Sequence, residues 1–215
     1  MDTRTRSLLL AGGAAAIAAH RLIVSLGRHW GASASEFTGP LPGDDLVTEP
    51  DTQTTMAITI DASPEQVWPW LVQMGIDRGG FYSLLPVENG LLHLNAKNAN
   101  RIVPEWQDLK VGDIMAFTPD GYPGGRHGPE VISIDPNRAL VLNLGGPREN
   151  PVGSWQFVLE PEDDGGTRLL MRSRASSHRS PGLKLLDAVI EPGYLIMDVA
   201  MLRGIKERAE RHQAA

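Results

Sequence analysis

The chain has 215 residues with 20 basic and 26 acidic side chains, and 41% of it is hydrophobic against 21% charged, which is the composition of one globular core and excludes a disordered chain. It contains no cysteine, so disulfides, thiolate catalysis and cysteine-ligated zinc or iron–sulfur sites are excluded. Residues 1–30 carry Arg4, Arg6, Arg21 and Arg28 against Asp2, a local +3, and the remainder is −9; a body that negative repels phosphate backbones, so nucleic acid is not an expected partner.

Residues 1–30 form an apolar, Ala/Gly-rich segment. Leu8 to Leu26 has the length of a bilayer span but is interrupted by His20 and Arg21. Three readings stay open: a weak membrane anchor with its basic end inside, a signal peptide with Ala32-Ser33-Ala34 as the small-residue cleavage pattern, and an amphipathic helix packed on the domain. The expected location is accordingly cytoplasmic or membrane-associated. Residues 31–53, with the run GPLPGDD, read as an extended arm rather than a helix.

The domain expected over 54–212 begins with a β-branched, alternating strand, Thr54 to Ile60. Ser63, Pro64 and Gln66 make a capping box that opens a helix through VWPWLVQM, bent or shortened by Pro69 and stopped near Gly75. Residues 76–112 read as one or two short helices with irregular connections. Five short runs follow: Asp113 to Thr118, Glu130 to Ile134, Ala139 to Leu144, Ser154 to Leu159 and Thr167 to Ser176, separated by Gly/Pro/Asp turns. That spacing predicts an antiparallel meander. Ser180-Pro181 then opens a long helix whose Leu186, Ile190, Met197, Met201 and Ile205 share an apolar face, with Pro192-Gly193 expected to kink or split it. The fold expected is α+β: a curved antiparallel sheet of about six strands wrapped around a long C-terminal helix, with two or more short helices after the first strand. A single helix cannot fill the concave side of such a sheet, so a cavity between them is a consequence.

Five segments in this order carry a resemblance: LPGDDLV at 41–47, ITIDASPEQVWPWLVQMG at 58–75, RGGFYS at 78–83, RIVPEWQDLKVGD at 101–113 and MLRGIKERAE at 201–210. The chain resembles the SRPBCC superfamily of START-like and polyketide cyclase/dehydrase-like helix-grip proteins, and most nearly an uncharacterised bacterial branch of it. The resemblance implies an internal ligand cavity and permits a cyclase or aromatase activity. One stretch departs from that branch. FYSLLPVENG lacks an aspartate and an aromatic that relatives carry before Glu88-Asn89, which implies a different ligand or a weaker grip on it.

Alternation on the strands assigns Trp155, Phe157, Met171 and Ser173 to the interior and Arg172 and Arg174 to a solvated face, where pairing with Glu160 is plausible. With the aromatic and methionine residues of the irregular segments and the last helix, the candidate ligand wall is Phe81, Tyr82, Trp106, Phe117, Trp155, Phe157, Met171, Ser173, Tyr194, Met197 and Met201, though for each of them plain core packing is the competing reading. Tyr82 and Trp106 stand out for lying in irregular segments with a polar handle each. The histidines show no metal-like spacing, and GYPGGRHGP, with His127, is a hairpin tip or lid rather than a phosphate loop. No nucleophile elbow or dinucleotide fingerprint occurs. Glu88, Glu105, Asp113, Glu130 and His178 are the acid–base candidates, none paired in sequence and none assigned a catalytic role. No metal or other cofactor is expected. The partner expected is a small hydrophobic or lipid-like ligand; an enzyme of the cyclase kind and an interaction module with a collapsed cavity are the alternatives. Membrane association through the N-terminus is possible, and the oligomeric state is not set by the sequence.

Overall fold

The computed structural model describes residues 3–176 and 181–213; Ser180 and His178 lie outside the described residues. In chain order the elements are α1 (Thr3–Arg28), α2 (Ala34–Thr38), β1 (Thr52–Ile60), α3 (Pro64–Val72), α4 (Leu85–Gly90), β2 (Glu130–Asp135), β3 (Ala139–Gly145), β4 (Gly153–Pro161), β5 (Thr167–Ala175) and α5 (Pro181–Gln213). The five strands form one antiparallel sheet in the order β1-β5-β4-β3-β2. The last strand therefore pairs with the first, and a single long helix closes the chain over the sheet. This is an α+β helix-grip arrangement. One expected strand is absent: residues 113–118 keep backbone bonds to 127–131 (Met115 to Pro129, Phe117 to His127, Val131 to Asp113) without forming a regular strand.

The concave face carries the main core. Met56, Ile60, Leu140, Phe157, Leu159, Leu169 and Met171 pack against Val67, Trp70 and Leu71 of α3 and Met201, Leu202, Ile205 and Ala209 of α5. The Ser63/Gln66 capping box forms as its spacing requires and α3 ends at Val72, with Pro69 inside it. α5 passes through Pro192 as one unbroken helix, so the expected split does not occur.

The convex face is not solvated, which corrects the sequence expectation. Residues 31–50 fold back across it, and a second small cluster forms there: Ala57, Ala139, Val158 and Leu170, with Ala32 and Leu41 from the arm. The arm is also not simply extended. It holds α2, whose Ser33/Glu36 capping box forms, and a 3-10 turn at Asp44–Leu46. Sheet burial on both faces explains why β3 and β4 read as continuous runs: every residue from Ala139 to Asn143 and from Gly153 to Leu159 is buried.

Arginines on alternate positions of β5 hold the arm down. Arg172 is 1% exposed. Its Nε donates to Thr55 Oγ1 at 3.0 Å, Nη1 to Gly39 O and Asp44 Oδ2 at 2.9 and 2.6 Å, and Nη2 to Glu36 O and Phe37 O at 2.6 and 3.0 Å. All the guanidinium donors are thereby used. Arg174 donates to Asp44 O at 2.8 Å, and Arg168 forks onto Glu36 at 2.7 and 3.0 Å. Glu160 stands opposite Arg168 in the register, but neither Arg172 nor Arg174 pairs with it; Asp44 from the arm is their partner. Gly43 lets the arm lie flush: its φ is 91°, and a Cβ there would fall 2.5 Å from Val141 Cγ1.

α1 lies on the domain at its C-terminal end. Val24 is buried, Arg28 pairs with Glu191 at 2.6 Å, and α1 packs on α5 and β1. Of the three readings of the N-terminal segment, the packed helix is the one seen over residues 24–28. Among the described residues no helix is long and apolar enough to cross a membrane.

Arg172→Ala removes the buried cation beside Asp44 and the donor to Gly39 O and Glu36 O under the arm, so it is expected to cost about 3–5 kcal/mol. Arg168→Ala breaks a pair nearer the surface, whose side chains keep 20% and 19% exposure, and should cost about 1 kcal/mol. Urea unfolding of the two variants against the parent checks the order; equal losses would mean that the arm is not fastened through Arg172.

Candidate ligand site at the open end of the grip

Burial changes along the concave face. Cross-strand register places Met56, Met171, Phe157 and Leu140 in one row and Thr54, Ser173, Trp155 and Leu142 in the next. In the first row all four side chains are inaccessible; in the second Leu142 and Trp155 are still buried, at 0% and 6% exposed, and Thr54 and Ser173, on the β1 side, are half-buried. α5 shows the same gradient. Tyr194, Asp198, Met201 and Ile205 follow at steps of four, three and four residues, which is one stripe of a helix. Ile205 and Met201 are buried, Asp198 is half-buried, and Tyr194 is 58% exposed. The helix and the sheet are thus tightly packed at the Ile205 end and part company toward Tyr194.

Aromatic rings line this open end. Phe81 and Phe117, both half-buried, stand 5.4 Å apart and 6.3 and 5.8 Å from Trp155, which in turn contacts Phe157 at 4.7 Å. The segment that brings Phe81 is tied to α5 beside the stripe, because Ser83 Oγ donates to Met197 O at 3.0 Å. Aromatic rings that keep part of their surface exposed offer dispersion contacts to an apolar or planar guest.

Two carboxyl groups are held off their ordinary behaviour. Asp198 keeps some exposure, yet burial among protein atoms pushes its carboxyl up to about 7. Glu88 on α4 is 3% exposed, its Oε2 has no hydrogen-bond partner, and burial pushes it up as well. A protonated carboxyl in such a place can donate a hydrogen bond or pass a proton. Asp198 was not among the acid–base candidates in the sequence. The signal was present: it stands where the 194–198–201–205 stripe requires an apolar residue. The other candidates are engaged elsewhere. Glu130 accepts from Arg148 Nε at 2.9 Å, Asp113 accepts from Lys110 N at 2.9 Å, and Glu105 is exposed.

The structure sorts the expected ligand wall into groups. Phe81, Phe117, Trp155, Ser173 and Met197 come together at the open end. Phe157, Met171 and Met201 belong to the packed end and carry almost no accessible surface. Three residues differ from expectation. Tyr82 is a core wedge: its OH donates to Trp70 O at 3.1 Å, its ring meets Trp70 edge-on at 5.8 Å, and the Arg208 guanidinium lies 4.8 Å over it. α5 crosses so close that a Cβ on Gly204 would fall 2.2 Å from Tyr82 O. Trp106 faces a separate open cleft of about 900 Å³, shared with Arg78, His93, Lys97 and Tyr122. Tyr194 lies on the inner stripe but is exposed, because α5 has left the sheet there. The hairpin tip with His127 is docked on this outer cleft's rim by Tyr122 OH, which donates to Leu92 O at 2.9 Å. Among the described residues no cluster of histidine and carboxylate side chains is placed to hold a metal ion.

No known family model matches the chain, and no curated protein matches it. Solved structures do. The Polyketide_cyc-like protein Cgl2372 from Corynebacterium glutamicum is 17% identical, with 75% of this chain and 93% of that one covered at a TM-score of 0.41. The Aha1 dimer from Colwellia psychrerythraea is 15% identical over 72% of this chain and 96% of its own, at 0.41. Ms6760 from Mycobacterium smegmatis is 14% identical over 72% and 88%, at 0.45. None of these likenesses is close enough to bring an activity or a ligand to this chain.

Asp198 makes a pH-dependent prediction. Its folded-state value lies above the ~3.9 of an unfolded aspartate, so ionising it in the folded protein costs stability. That cost is absent below about pH 4, grows as pH rises to 7 and is complete above. Asp198→Asn should therefore raise the melting temperature at pH 8 and change it little at pH 4. A gain that is the same at both pH values would place the carboxyl in open solvent.

Proposed function

We propose that the protein binds a small, largely apolar ligand at the open end of the grip, seated on the Phe81–Phe117–Trp155 rings with one hydrogen-bonding group toward Asp198. The observation that carries this reading is the half-burial of Phe81 and Phe117 beside Trp155, with Thr54 and Ser173 half-buried in the Trp155 row, next to a row sealed at Met171 and Phe157. A sheet and helix with no guest to hold would gain about 25 cal/mol per Å² of apolar surface by closing the gap. Asp198 favours a second reading on the same site, proton transfer to or from the ligand, since its carboxyl changes charge near neutrality.

The neutral apolar fluorophore N-phenyl-1-naphthylamine is the probe. Its emission should rise saturably on titration with the protein, and Trp155 emission should fall. Phe117→Ala or Trp155→Ala should weaken binding about tenfold, a loss of roughly 1.4 kcal/mol. Trp106→Ala, in the outer cleft, should leave it unchanged. No saturable signal, or a loss caused by Trp106→Ala alone, would move the site away from the rings. If the second reading holds, Asp198→Asn abolishes turnover of a ligand recovered from the host while leaving its affinity within a few-fold.

A further inference from the structure

The charges that hold this fold together are paired. Arg172 meets Asp44, Arg168 meets Glu36 and Arg28 meets Glu191, at 2.6, 2.7 and 2.6 Å. Asp198 is different: among the described residues it pairs with no cation, and burial alone shifts its carboxyl. Its place on α5 is inward. Leu195, Met201 and Leu202, three or four positions away on either side, are buried, so Asp198 stands within the face that meets the sheet.

Hydrogen bonds fix how far along β1 that face reaches. α5 and β1 run in the same direction: Lys206 Nζ donates to Thr59 O and, one turn on, Glu210 Oε1 accepts from Asp61 N. Asp198 is eight residues back from Lys206, about 12 Å of helix, which matches about four residues of strand. Asp198 therefore comes level with Thr55, whose inward neighbours on β1 are Thr54 and Met56. Thr54 begins the row that runs through Ser173 to Trp155. Ser83, two residues after Phe81, donates to the carbonyl of Met197, the residue before Asp198. The carboxyl is thus at the ring-lined end, with two half-buried hydroxyls beside it.

Among the described residues no side-chain cation faces this end. β1 has no ionisable residue. Those of β4 and β5, Glu160 and three arginines, are on the convex side by alternation. In the segment of Phe81, Tyr82 OH is used by Trp70 O. α1 brings Arg28, held by Glu191, and α3 brings Glu65, held by Ser63 Oγ. On α5 itself Arg203 lies over Trp30 and Lys206 is on Glu210. An anionic ligand would meet a carboxyl with no counter-ion, and a neutral one would leave that carboxyl unpaired whenever it ionises. A protonated amine supplies the missing charge. Hydroxyl oxygens accept its remaining N–H groups, and aromatic rings attract a cation. The −9 carried by residues 31–215 favours the approach of cations from solution.

We infer that the ligand of this site is a small apolar amine, bound protonated, with its ammonium group on the Asp198 carboxylate beside Thr54 and Ser173 and its apolar body on Phe81, Phe117 and Trp155. This deepens the ligand-binding reading above and rests on it.

Three probes of nearly one shape carry the three charges: 1-naphthylmethylamine, 1-naphthylmethanol and 1-naphthoate, each titrated into the full chain by calorimetry. At pH 8 the amine should bind about tenfold more tightly than the alcohol, and the naphthoate should be the weakest. Asp198 is ionised above about pH 7 and protonated below, whereas an alkylammonium keeps its proton throughout, so the amine's advantage should shrink several-fold at pH 5. In Asp198→Asn the amine and the alcohol should bind alike at both pH values; in Asp198→Glu the advantage at pH 8 should persist. Equal affinities of amine and alcohol at pH 8, tightest binding by the naphthoate, or an amine preference that survives Asp198→Asn overturns the inference. If N-phenyl-1-naphthylamine binds but the probes show no such preference, the ligand site stands and only the amine falls. If neither the fluorophore nor any probe binds, both fall.

Discussion

Arg172 is the constraint on which the rest of the structure depends. It sits in the middle of β5, flanked in the sheet by β1 and β4, with its guanidinium under the arm, which supplies four of its five acceptors. A cation is tolerated there only because every N–H is used and Asp44 balances the charge; burial still pushes its pKa down. Once Arg172 is satisfied in this way, the arm has one position. Asp44 is drawn to the sheet and also receives Arg174, Glu36 is placed for Arg168, and Gly43 lets the backbone approach Val141.

With the convex face occupied by the arm, the two faces of the sheet do different things. The convex cluster is small, Ala57, Ala139, Val158 and Leu170 with Ala32 and Leu41, because the short arm covers only that part of the sheet. The concave face takes the large residues and meets a single helix. α3 supports only one part of it, packing on β4 and on α5. Where α3, α5 and the sheet converge, at Trp70, Phe157, Met201 and Ile205, nothing is accessible. Beyond that region α5 is met by α1 at Glu191 and Leu195 and by the Phe81 segment at Met197 rather than by α3.

The order of elements and the period-two strands were legible in the sequence because each depends on local pattern. The interior face of β4 and β5 was assigned correctly for the same reason. The opposite face was not. Alternation separates two faces but does not say whether the polar one meets water or a distant coil, and Arg172 reads the same in both cases. The arm, rich in glycine and proline, reads as a linker when its partners lie some 130 positions away; nothing local records that Asp44 and Glu36 are spoken for by β5. At the site, Phe81, Phe117 and Trp155 were named as separate aromatics, and only the fold shows them as one wall. Trp106 and Tyr82 were misplaced because irregular segments have no periodicity from which a direction could be derived.

Asp198 shows why a polar residue in an apolar stripe carries information. Four of the positions that share its face of α5, Met201, Leu202, Ile205 and Ala209, are buried. A leucine at 198 would continue that packing one turn further and draw the sheet edge toward the helix. An aspartate resists the same closure, because sealing it would raise the desolvation cost that already pushes its carboxyl up to about 7. The residue therefore acts against collapse of the gap that it faces. On the outer side of the same helix, Val189 and Ile196 stand exposed where polar residues would make the surface independent of any partner. α5 thus departs from an ordinary amphipathic helix at single positions of this stretch: Leu195 is still buried, but the inner stripe takes a carboxyl and the outer side two aliphatic residues. The inward carboxyl is the costlier departure, because its desolvation grows with every atom that closes over it.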